Sequence, residues 1–393
     1  MDDFLFAIPP LPSADWERHN QEQRQVWEGF SRGAQSRVPM ILGVNPRFLL
    51  CDRRYNPRGV TFREYMTDPE VMWRVQREFA LFARHFLPYD HEMGMPEEWH
   101  IYLDPQNVGE AAWFGAEVLY PDGDVPDTRP LLGDDNKGML FEKGLPDPFG
   151  GLYGHLRDFY EKYAAGWTFL GRPGVCDPSG FGTDGPFTVA CNLRGAAEFC
   201  MDLYLDPDYA QELLEFITQA TIRRMNAWNA YFGQPVPDNF WFADDSIALL
   251  STEDYERFVL PFHQKLIAGV TSGKGRNHTI HLCGDASRHF RLICDRLHVT
   301  AFDTGYPIQH GKLMRELGPE VTVQGGPPVA LLQNGTPERV TAETRRILEE
   351  VLPCTRRFIL REANNLPPGT PLANVAAMYE AARRYGRYER QPD

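Results

Sequence analysis

The sequence predicts an α/β protein and, within that class, a (β/α)8 barrel. From residue 187 onward, short apolar stretches alternate with helical stretches, and each apolar stretch is bounded by Gly, Asp or Pro. Short strands of this kind are typical of a parallel sheet that is buried on both faces. About eight such strands occur along the chain, which favours a closed barrel over an open sheet. No G-x-G-x-x-G segment follows a strand, which disfavours a dinucleotide-binding fold.

The first half of the chain begins with a polar N-terminal extension, residues 1–35, that contains a helix. Residues 67–70 (TDPE) indicate the start of a second helix, because proline fits its first position. Residues 121–151 are rich in Gly, Pro and Asp, and we expect this long inserted loop to be a lid or cap. The elements predicted in this half are helices at 21–33, 68–85 and 156–164 and strands at 37–45, 100–103 and 114–120.

Strands and helices alternate regularly in the second half. Residues 251–254 (STED) have the layout of a capping box, which starts a helix. Because barrels routinely exceed the usual domain size, residues 1–393 are predicted to form one domain. The predicted strands are 187–191, 239–245, 279–283, 299–303, 321–325 and 357–361, and the predicted helices are 195–203, 206–232, 251–270, 286–297, 311–317, 336–352 and 373–384.

The composition excludes several classes of function. The chain has 393 residues and a formal net charge of −14, and this acidic balance argues against binding to nucleic acid or to anionic membranes. No apolar run approaches the ~20 residues of a membrane-spanning helix, and we expect no secretory signal at the N-terminus. The seven cysteines are odd in number and scattered. A cytoplasmic location is therefore expected.

His281 and Cys283 are the most informative residues of the chain. Residues 279–282 alternate small or polar residues with apolar ones, which predicts a short buried strand. Side chains two residues apart on a strand point to the same face. An imidazole beside a thiolate is a ligand pair suited to zinc. For this pair alone, a packed core cysteine remains the alternative interpretation.

Polar residues follow most of the predicted strands in the second half. The active site of a barrel lies at the carboxyl ends of its strands, so we expect these residues to surround one cavity. Each of them has an alternative role as a cap of the following helix, and for Asp244 and Asp245 that alternative is equally good. The set comprises Asn192, Arg194, Asp244, Asp245, His281, Cys283, Asp303, Gln324, Glu362, Asn364 and Asn365.

Several segments together resemble the uroporphyrinogen decarboxylase superfamily, and within it the branch of cobalamin-dependent methyltransferases. The resemblance covers about residues 20–386 and is most specific from residue 185 onward. It implies a TIM barrel, in agreement with the strand count. The segments are 185–195 (GPFTVACNLRG), 279–285 (TIHLCGD), 302–305 (FDTG), 324–328 (QGGPP), 334–340 (NGTPERV) and 366–375 (LPPGTPLANV).

The resemblance implies that His281 and Cys283 are two of three zinc ligands. It also implies a partner, a separate corrinoid protein that docks over the barrel mouth and carries the cobalamin. This chain has no D-x-H-x-x-G segment of its own for a corrinoid. The third ligand of the family is a cysteine, and Asn364 stands at that position here. Glu362 is the predicted replacement ligand.

Asp303 and Asp244 are alternative oxygen donors for the same metal. The residues assigned to catalysis are Asp244, Asp245, Asp303 and Asn364. A site with fewer thiolates suits an oxygen-bound or nitrogen-bound methyl donor, and a Lewis acid stabilises a departing oxygen. The predicted function is therefore that of a zinc-dependent methyltransferase, which moves a methyl group from a small methylated substrate, such as a methoxylated aromatic that undergoes O-demethylation, to cobalamin.

Two alternative functions remain. A decarboxylase of the same superfamily needs an arginine-rich pocket for the carboxylates of its substrate, and the family's arginine motif is not recognisable after the first strand, where residues 44–48 read VNPRF. A non-catalytic relative that binds a methylated ligand or a corrinoid partner is the second alternative, and Asn364 is its best support.

Overall fold

The structure is a computed structural model that describes residues 4–178 and 182–388. This part of the chain contains ten strands and seventeen α-helices. The strands are β1 (Trp99–Ile101), β2 (Val118–Leu119), β3 (Asp127–Thr128), β4 (Trp167–Phe169), β5 (Arg172–Cys176), β6 (Trp241–Ala243), β7 (His278–Leu282), β8 (Val299–Thr304), β9 (Thr322–Gly325) and β10 (Phe358–Leu360). The first nine helices are α1 (Glu17–Ser31), α2 (Arg47–Leu50), α3 (Phe62–Thr67), α4 (Pro69–Phe86), α5 (Gly109–Phe114), α6 (Met139–Lys143), α7 (Leu152–Tyr163), α8 (Pro186–Arg194) and α9 (Ala196–Leu205). The others are α10 (Pro207–Tyr231), α11 (Thr252–Asp254), α12 (Leu260–Val270), α13 (Ser287–Leu297), α14 (His310–Leu317), α15 (Val329–Asn334), α16 (Pro337–Val351) and α17 (Leu372–Tyr385).

The main sheet contains five strands in the order β10-β9-β8-β7-β6, and all of its pairings are parallel. Each strand lies beside the next one in sequence, and at least one helix connects each pair. Single parallel bridges extend this sheet at both edges, from Met40 to Leu360 and from Asp184 to Ala243. A second sheet of order β1-β5-β4 belongs to the first half of the chain. The protein is therefore an α/β protein with a predominantly parallel sheet.

The register of the main sheet aligns one row of side chains on one face. Residues one position away from this row point to the opposite face and pack against helices. Phe242 packs edge-on against His263 of α12, and Phe302 stacks on Phe290 of α13. From β6 to β10 the row consists of Ala243, His281, Asp303, Gln324 and Ile359.

The strand predicted at residues 187–191 is wrong, because these residues lie in α8. All of these residues are buried, so the run shows no alternation of apolar and polar positions by which a buried helix could be told from a buried strand. Pro186 occupies the first turn of α8, and the Asp244 carboxylate accepts the N–H of Thr188 at 2.7 Å. Proline suits the first position of a helix, and the Asp244 carboxylate satisfies a backbone N–H that has no partner within the helix. The residue that pairs with β6 at this edge is Asp184.

Two other predicted strands are confirmed only in part. Residues 37–45 run beside β10 but form only isolated bridges instead of a strand. Within residues 114–120, only β2 is a strand, and it pairs antiparallel with β3 of the inserted loop. The inserted loop also contains α6, so it is more ordered than the sequence indicates. Strands β4 and β5 were not predicted.

The predicted helices agree with the structure to within a few residues. The helix predicted at 21–33 is α1, and Ser251 caps α11 by accepting the N–H of Asp254. A π-helical turn, Tyr255–Val259, interrupts the predicted helix 251–270 between α11 and α12. None of the described helices is long and apolar enough to cross a membrane.

Candidate metal centre

His281 and Cys283 lie side by side at the carboxyl end of β7. Along β7 the buried residues His278, Ile280 and Leu282 alternate with half-buried ones, so His281 belongs to the face that carries the aligned row. Cys283 follows the strand with the same parity. The Nε2 atom of His281 lies 3.1 Å from Cys283 Sγ. The structure thus brings this sequence-predicted pair together.

Asp303 fixes the orientation of the imidazole from the neighbouring strand. Its Oδ2 atom lies 2.6 Å from His281 Nδ1, and the same oxygen accepts a hydrogen bond from Arg361. Since Nδ1 is engaged by a carboxylate, Nε2 is left to face Cys283. Arg361 is mostly buried and offsets the negative charge of Asp303.

Asp245 completes the cluster from the turn after β6. Its Oδ1 atom accepts the backbone N–H of Cys283 at 2.5 Å and lies 3.8 Å from His281 Nε2. The ligand atoms of Asp245, His281 and Cys283 all lie within 4.8 Å of one another. Among the described residues this is the one group of three or more metal-ligand side chains at that spacing.

The donor set and its spacing fit zinc. One nitrogen, one sulfur and one carboxylate oxygen are ligands that zinc accepts, and two such ligands of a tetrahedral zinc ion stand about 3.4–3.6 Å apart. The observed separations from His281 Nε2 are 3.1 Å to Cys283 and 3.8 Å to Asp245. Three protein ligands would leave one position for a substrate, as in catalytic zinc sites.

The environment of the cluster raises the pKa of both His281 and Cys283 above their usual values. Burial lowers the pKa of His281, but the adjacent Cys283 and Asp245 outweigh burial, and the resulting pKa is above the usual value. Burial raises the pKa of Cys283, which its hydrogen bond to His281 only partly offsets. Because zinc takes a neutral imidazole and a thiolate, a metal that binds here displaces any proton that these two ligand atoms carry.

Asp244, which we predicted to be catalytic, points away from this cluster. Its side chain has no exposed surface, and its two oxygens are occupied by the start of α8 and by His263. Because Asp244 and Asp245 are adjacent at the end of a strand, their side chains leave on opposite faces. Asp244 thus caps the earlier helix α8 and not, as the alternative interpretation expected, the helix that follows it, and Asp245 is the acid at the cavity.

Glu362, which we predicted to be the third metal ligand, also lies outside the cluster. It is fully buried, and Oε1 accepts the N–H of Gly43 at 2.6 Å. Burial raises its pKa to about 8, against the opposing effect of Arg361. The correction is that Asp245, and not Glu362, is the carboxylate beside the imidazole and the thiol.

Asn364 lies on the wall of the cavity that contains the cluster. This cavity has a volume of about 570 Å³. Asn364 has a φ of 106° and accepts the N–H of Asn365 at 2.8 Å. The sequence analysis missed Arg361, Asp184, Asn45 and Arg47, which also line the cavity. For Arg361 the missed signal is strand parity, since Phe358 and Leu360 are fully buried on the other face.

The fold and the cluster define an α/β protein with a thiol, an imidazole and a carboxylate at the carboxyl end of a parallel sheet. The family model of uroporphyrinogen decarboxylase (URO-D) matches residues 179–385, which is more than half of the chain. The chain belongs to this family, and the resemblance inferred from its segments is confirmed.

Curated relatives of two kinds match the chain. The methylcobamide:CoM methyltransferase MtbA of Methanosarcina mazei is 27% identical over 203 residues, which are 51% of this chain and 56% of the relative. The methylated-thiol–coenzyme M methyltransferase of the same organism is 29% identical over 202 residues, or 50% and 51%. The uroporphyrinogen decarboxylase of Geobacter sp. (strain M21) is 30% identical over 179 residues, or 44% and 49%. The chain thus spans about half the length of these relatives.

A solved structure with a similar fold is a methyltransferase from Methanosarcina mazei. It aligns with a TM-score of 0.62 and 18% identity, over 93% of this chain and 98% of the other. At this identity the likeness establishes the fold alone.

Proposed function

We propose that this protein is a corrinoid-dependent methyltransferase with a zinc ion held by Asp245, His281 and Cys283. The observation that carries the proposal is the convergence of these three ligand atoms at the carboxyl end of the sheet. Relatives named as methylcobamide:CoM and methylated-thiol–coenzyme M methyltransferases support it. The methyl group would pass between a small methylated substrate and the cobalamin of a separate corrinoid protein.

The proposal assigns a separate role to each residue around the metal site. Asp303 keeps Nε2 of His281 free for the metal, and Arg361 donates a hydrogen bond that holds Asp303 beside the imidazole. Asn364 and the other wall residues border the space in which a substrate would be oriented. Asp245 and Asp303 remain the acids of the predicted catalytic set that border this space.

When bound, zinc would supply Lewis acidity to the atom that loses the methyl group. With one thiolate, one imidazole and one carboxylate, the ligand set is harder than a set with two thiolates. It therefore favours a donor whose methyl group is bound to oxygen, and we propose a methoxylated aromatic compound. The cavity volume of about 570 Å³ falls within the range of small-molecule sites.

The first test is metal content per chain, measured on protein purified without chelators or affinity-tag metals. We expect about one zinc per chain in the wild type and its loss in His281→Ala. His155→Ala, at an exposed position of α7, is the control and should retain the metal. Zinc in both variants would contradict the proposed site.

The second test is methyl transfer from a panel of methoxyarenes to free cob(I)alamin or to a corrinoid protein. Formation of methylcobalamin together with the phenol would support the proposal. A metal-containing enzyme that demethylates no member of a broad panel would overturn the methoxyarene assignment and leave the metal site standing.

Decarboxylation is the second candidate function, because relatives named uroporphyrinogen decarboxylase reach 30% identity. This reaction depends on arginines that bind the substrate carboxylates, so Cys283 would have no part in it. Decarboxylation of uroporphyrinogen by the wild type and by Cys283→Ser at the same rate would favour it over methyl transfer.

We also propose that the chain forms a single domain in which the sheet closes into a complete (β/α)8 barrel. The parallel bridges from Met40 to Leu360 and from Asp184 to Ala243 support this, since they extend the five-stranded sheet on both edges. The parallel pair of β1 and β5 lies between those edges in the chain order. A crystal structure with an open sheet would contradict closure.

A further inference from the structure

A chain of buried polar groups stands on the far side of Asp244 from the metal centre. His263 Nε2 lies 2.7 Å from Asp244 Oδ2, and the Tyr255 hydroxyl lies 3.1 Å from His263 Nδ1. None of the three side chains is exposed. Burial raises the pKa of Tyr255 far above its usual value, so the hydroxyl keeps its proton. The hydroxyl donates to Nδ1, and Nε2–H then donates to the carboxylate.

The π-helical turn Tyr255–Val259 brings the side chains of Tyr255 and His263 to the same side of the helix. In a regular α-helix, residues eight apart differ in direction by roughly 80°. The extra residue of a π turn reduces that difference to roughly 20°, so Tyr255 and His263 face the same way. Such turns are rare and often occur at functional sites.

Asp245 lies between Asp244 and Ser246, and the backbone N–H groups of both neighbours are hydrogen-bonded. On one side, the N–H of Asp244 donates to the His281 carbonyl at 3.3 Å. On the other side, the N–H of Ser246 donates to Thr188 Oγ1 at 2.9 Å, and that hydroxyl in turn donates to Asp244 at 2.6 Å. The Thr188 hydroxyl therefore couples the Asp244 carboxylate to the backbone of Ser246, directly after Asp245, so a displacement of that carboxylate would displace the backbone beside Asp245.

We propose that His263 is a positioning residue that acts through Asp244 to hold Asp245 at the metal centre, with Tyr255 as its support. The proposal rests on the proposed function in that Asp245 is taken as a metal ligand. His263 itself touches neither the cavity nor a ligand atom. Its role is to supply the Nε2–H that fixes a buried carboxylate in one orientation.

The test is titration of the metal-free enzyme with Co²⁺, read by the visible spectrum of the bound ion. Relative to wild type, His263→Phe should bind Co²⁺ about 10-fold more weakly, with altered visible bands, which is the size of effect typical for residues behind the ligands. His263→Gln retains an N–H donor at the position of Nε2 and should restore both the affinity and the spectrum. A purely structural role would not produce this rescue together with a spectral change.

His85→Phe is the matched control, because His85 is a buried histidine whose hydrogen bond, among the described residues, goes to a carbonyl of its own helix α4. It should leave the Co²⁺ spectrum unchanged. If His263→Phe does not fold, Tyr255→Phe provides the second variant and should weaken binding in the same direction by a smaller factor. Wild-type affinity and spectrum in His263→Phe, or equal losses in the Phe and Gln variants, would overturn the proposal. If the wild type binds no Co²⁺, the proposed metal site is overturned as well. This outcome differs from a failure of the His263 proposal alone, in which the wild type binds Co²⁺.

Discussion

Asp303 Oδ2 lies 2.6 Å from His281 Nδ1, and this contact leaves Nε2 as the atom that faces Cys283. Carboxylates behind ligating histidines fix the ring and increase its basicity. The contact joins adjacent strands at paired positions of the register, so it is built into the sheet. It gives the cluster a defined orientation before any metal binds.

We predict that Asp303→Ala weakens zinc binding about 10- to 100-fold without abolishing it, because the ligands remain and only the orientation of the imidazole is lost. Competition with a chelating dye measures the dissociation constant. Asp295→Ala, on an exposed part of α13, is the control. Equal zinc affinity in Asp303→Ala and wild type would show that the ring is held by other contacts.

We predict opposite results for the two carboxylates that the sequence analysis considered. The Asp245→Asn variant should lose most of its bound zinc, since the substitution removes a charged oxygen from the cluster. Glu362→Gln should keep its zinc, because its carboxyl group is buried outside the cluster. Metal analysis of the two purified variants decides between them, and retention by Asp245→Asn with loss by Glu362→Gln would restore the original assignment.

The errors in the predicted site share one physical origin, which is strand parity. Asp244 and Glu362 were assigned because they follow strands, but successive side chains of a strand point to opposite faces. Asp245, His281 and Cys283 share the face of the aligned row, whereas Asp244 follows the buried Phe242. Counting in twos from the apolar, buried positions would have selected the observed set from the sequence.

The fold was more predictable than the site, for reasons that are equally local. The strands β7 to β10 have helices between them with clear capping and periodic signals, so these strands and their alternation with helices were predicted correctly. Residues 187–191 were misassigned because a fully buried helix and a buried strand have the same apolar composition. The contact that settles this case, from Asp244 to the start of α8, joins residues 56 positions apart and leaves no local signal.

Metal affinity should rise with pH. The pKa values of His281 and Cys283 both lie above their usual values, so at a given pH a larger share of these groups carries protons that the metal must displace. Each displaced proton contributes up to about a tenfold increase in affinity per pH unit below its pKa. Calorimetric titrations of Zn²⁺ between pH 6 and about 8, in buffers of different ionisation enthalpy, should show proton release, and affinity independent of pH would contradict this reading.

Gly305→Ala should disturb the metal centre without touching a ligand. A Cβ atom at this position would lie 2.9 Å from the Cα of Cys283 and would overlap the backbone of Gly284. Since backbone atoms cannot rotate away, the turn that carries Cys283 has to move. We expect reduced Co²⁺ affinity and a weaker thiolate-to-cobalt absorption. Gly138→Ala, where a Cβ meets open space, is the control, and identical behaviour of both variants would refute the prediction.

The pH dependence of stability should contain a contribution from Glu362. Its folded-state pKa is about 8, raised by burial, whereas a carboxyl group in the unfolded chain titrates near about 4.3. Between these values the folded state holds a proton that the unfolded state has released. The stabilising contribution is therefore complete below about pH 4.3 and is lost as the pH rises through the folded pKa, with a slope of at most about 1.4 kcal/mol per pH unit.

Glu362→Gln should remove this slope, because the amide has the shape of the protonated carboxyl group and does not ionise. Its oxygen can still accept the N–H of Gly43. Urea unfolding at several pH values between about 5 and 8.5 should show the variant gaining stability relative to wild type as the pH increases. Glu142→Gln, at an exposed position of α6, should follow the wild-type curve. If the difference between Glu362→Gln and wild type is constant across this range, Glu362 is ionised in the folded protein, and a charge buried beside Arg361 would have to be compensated by that guanidinium.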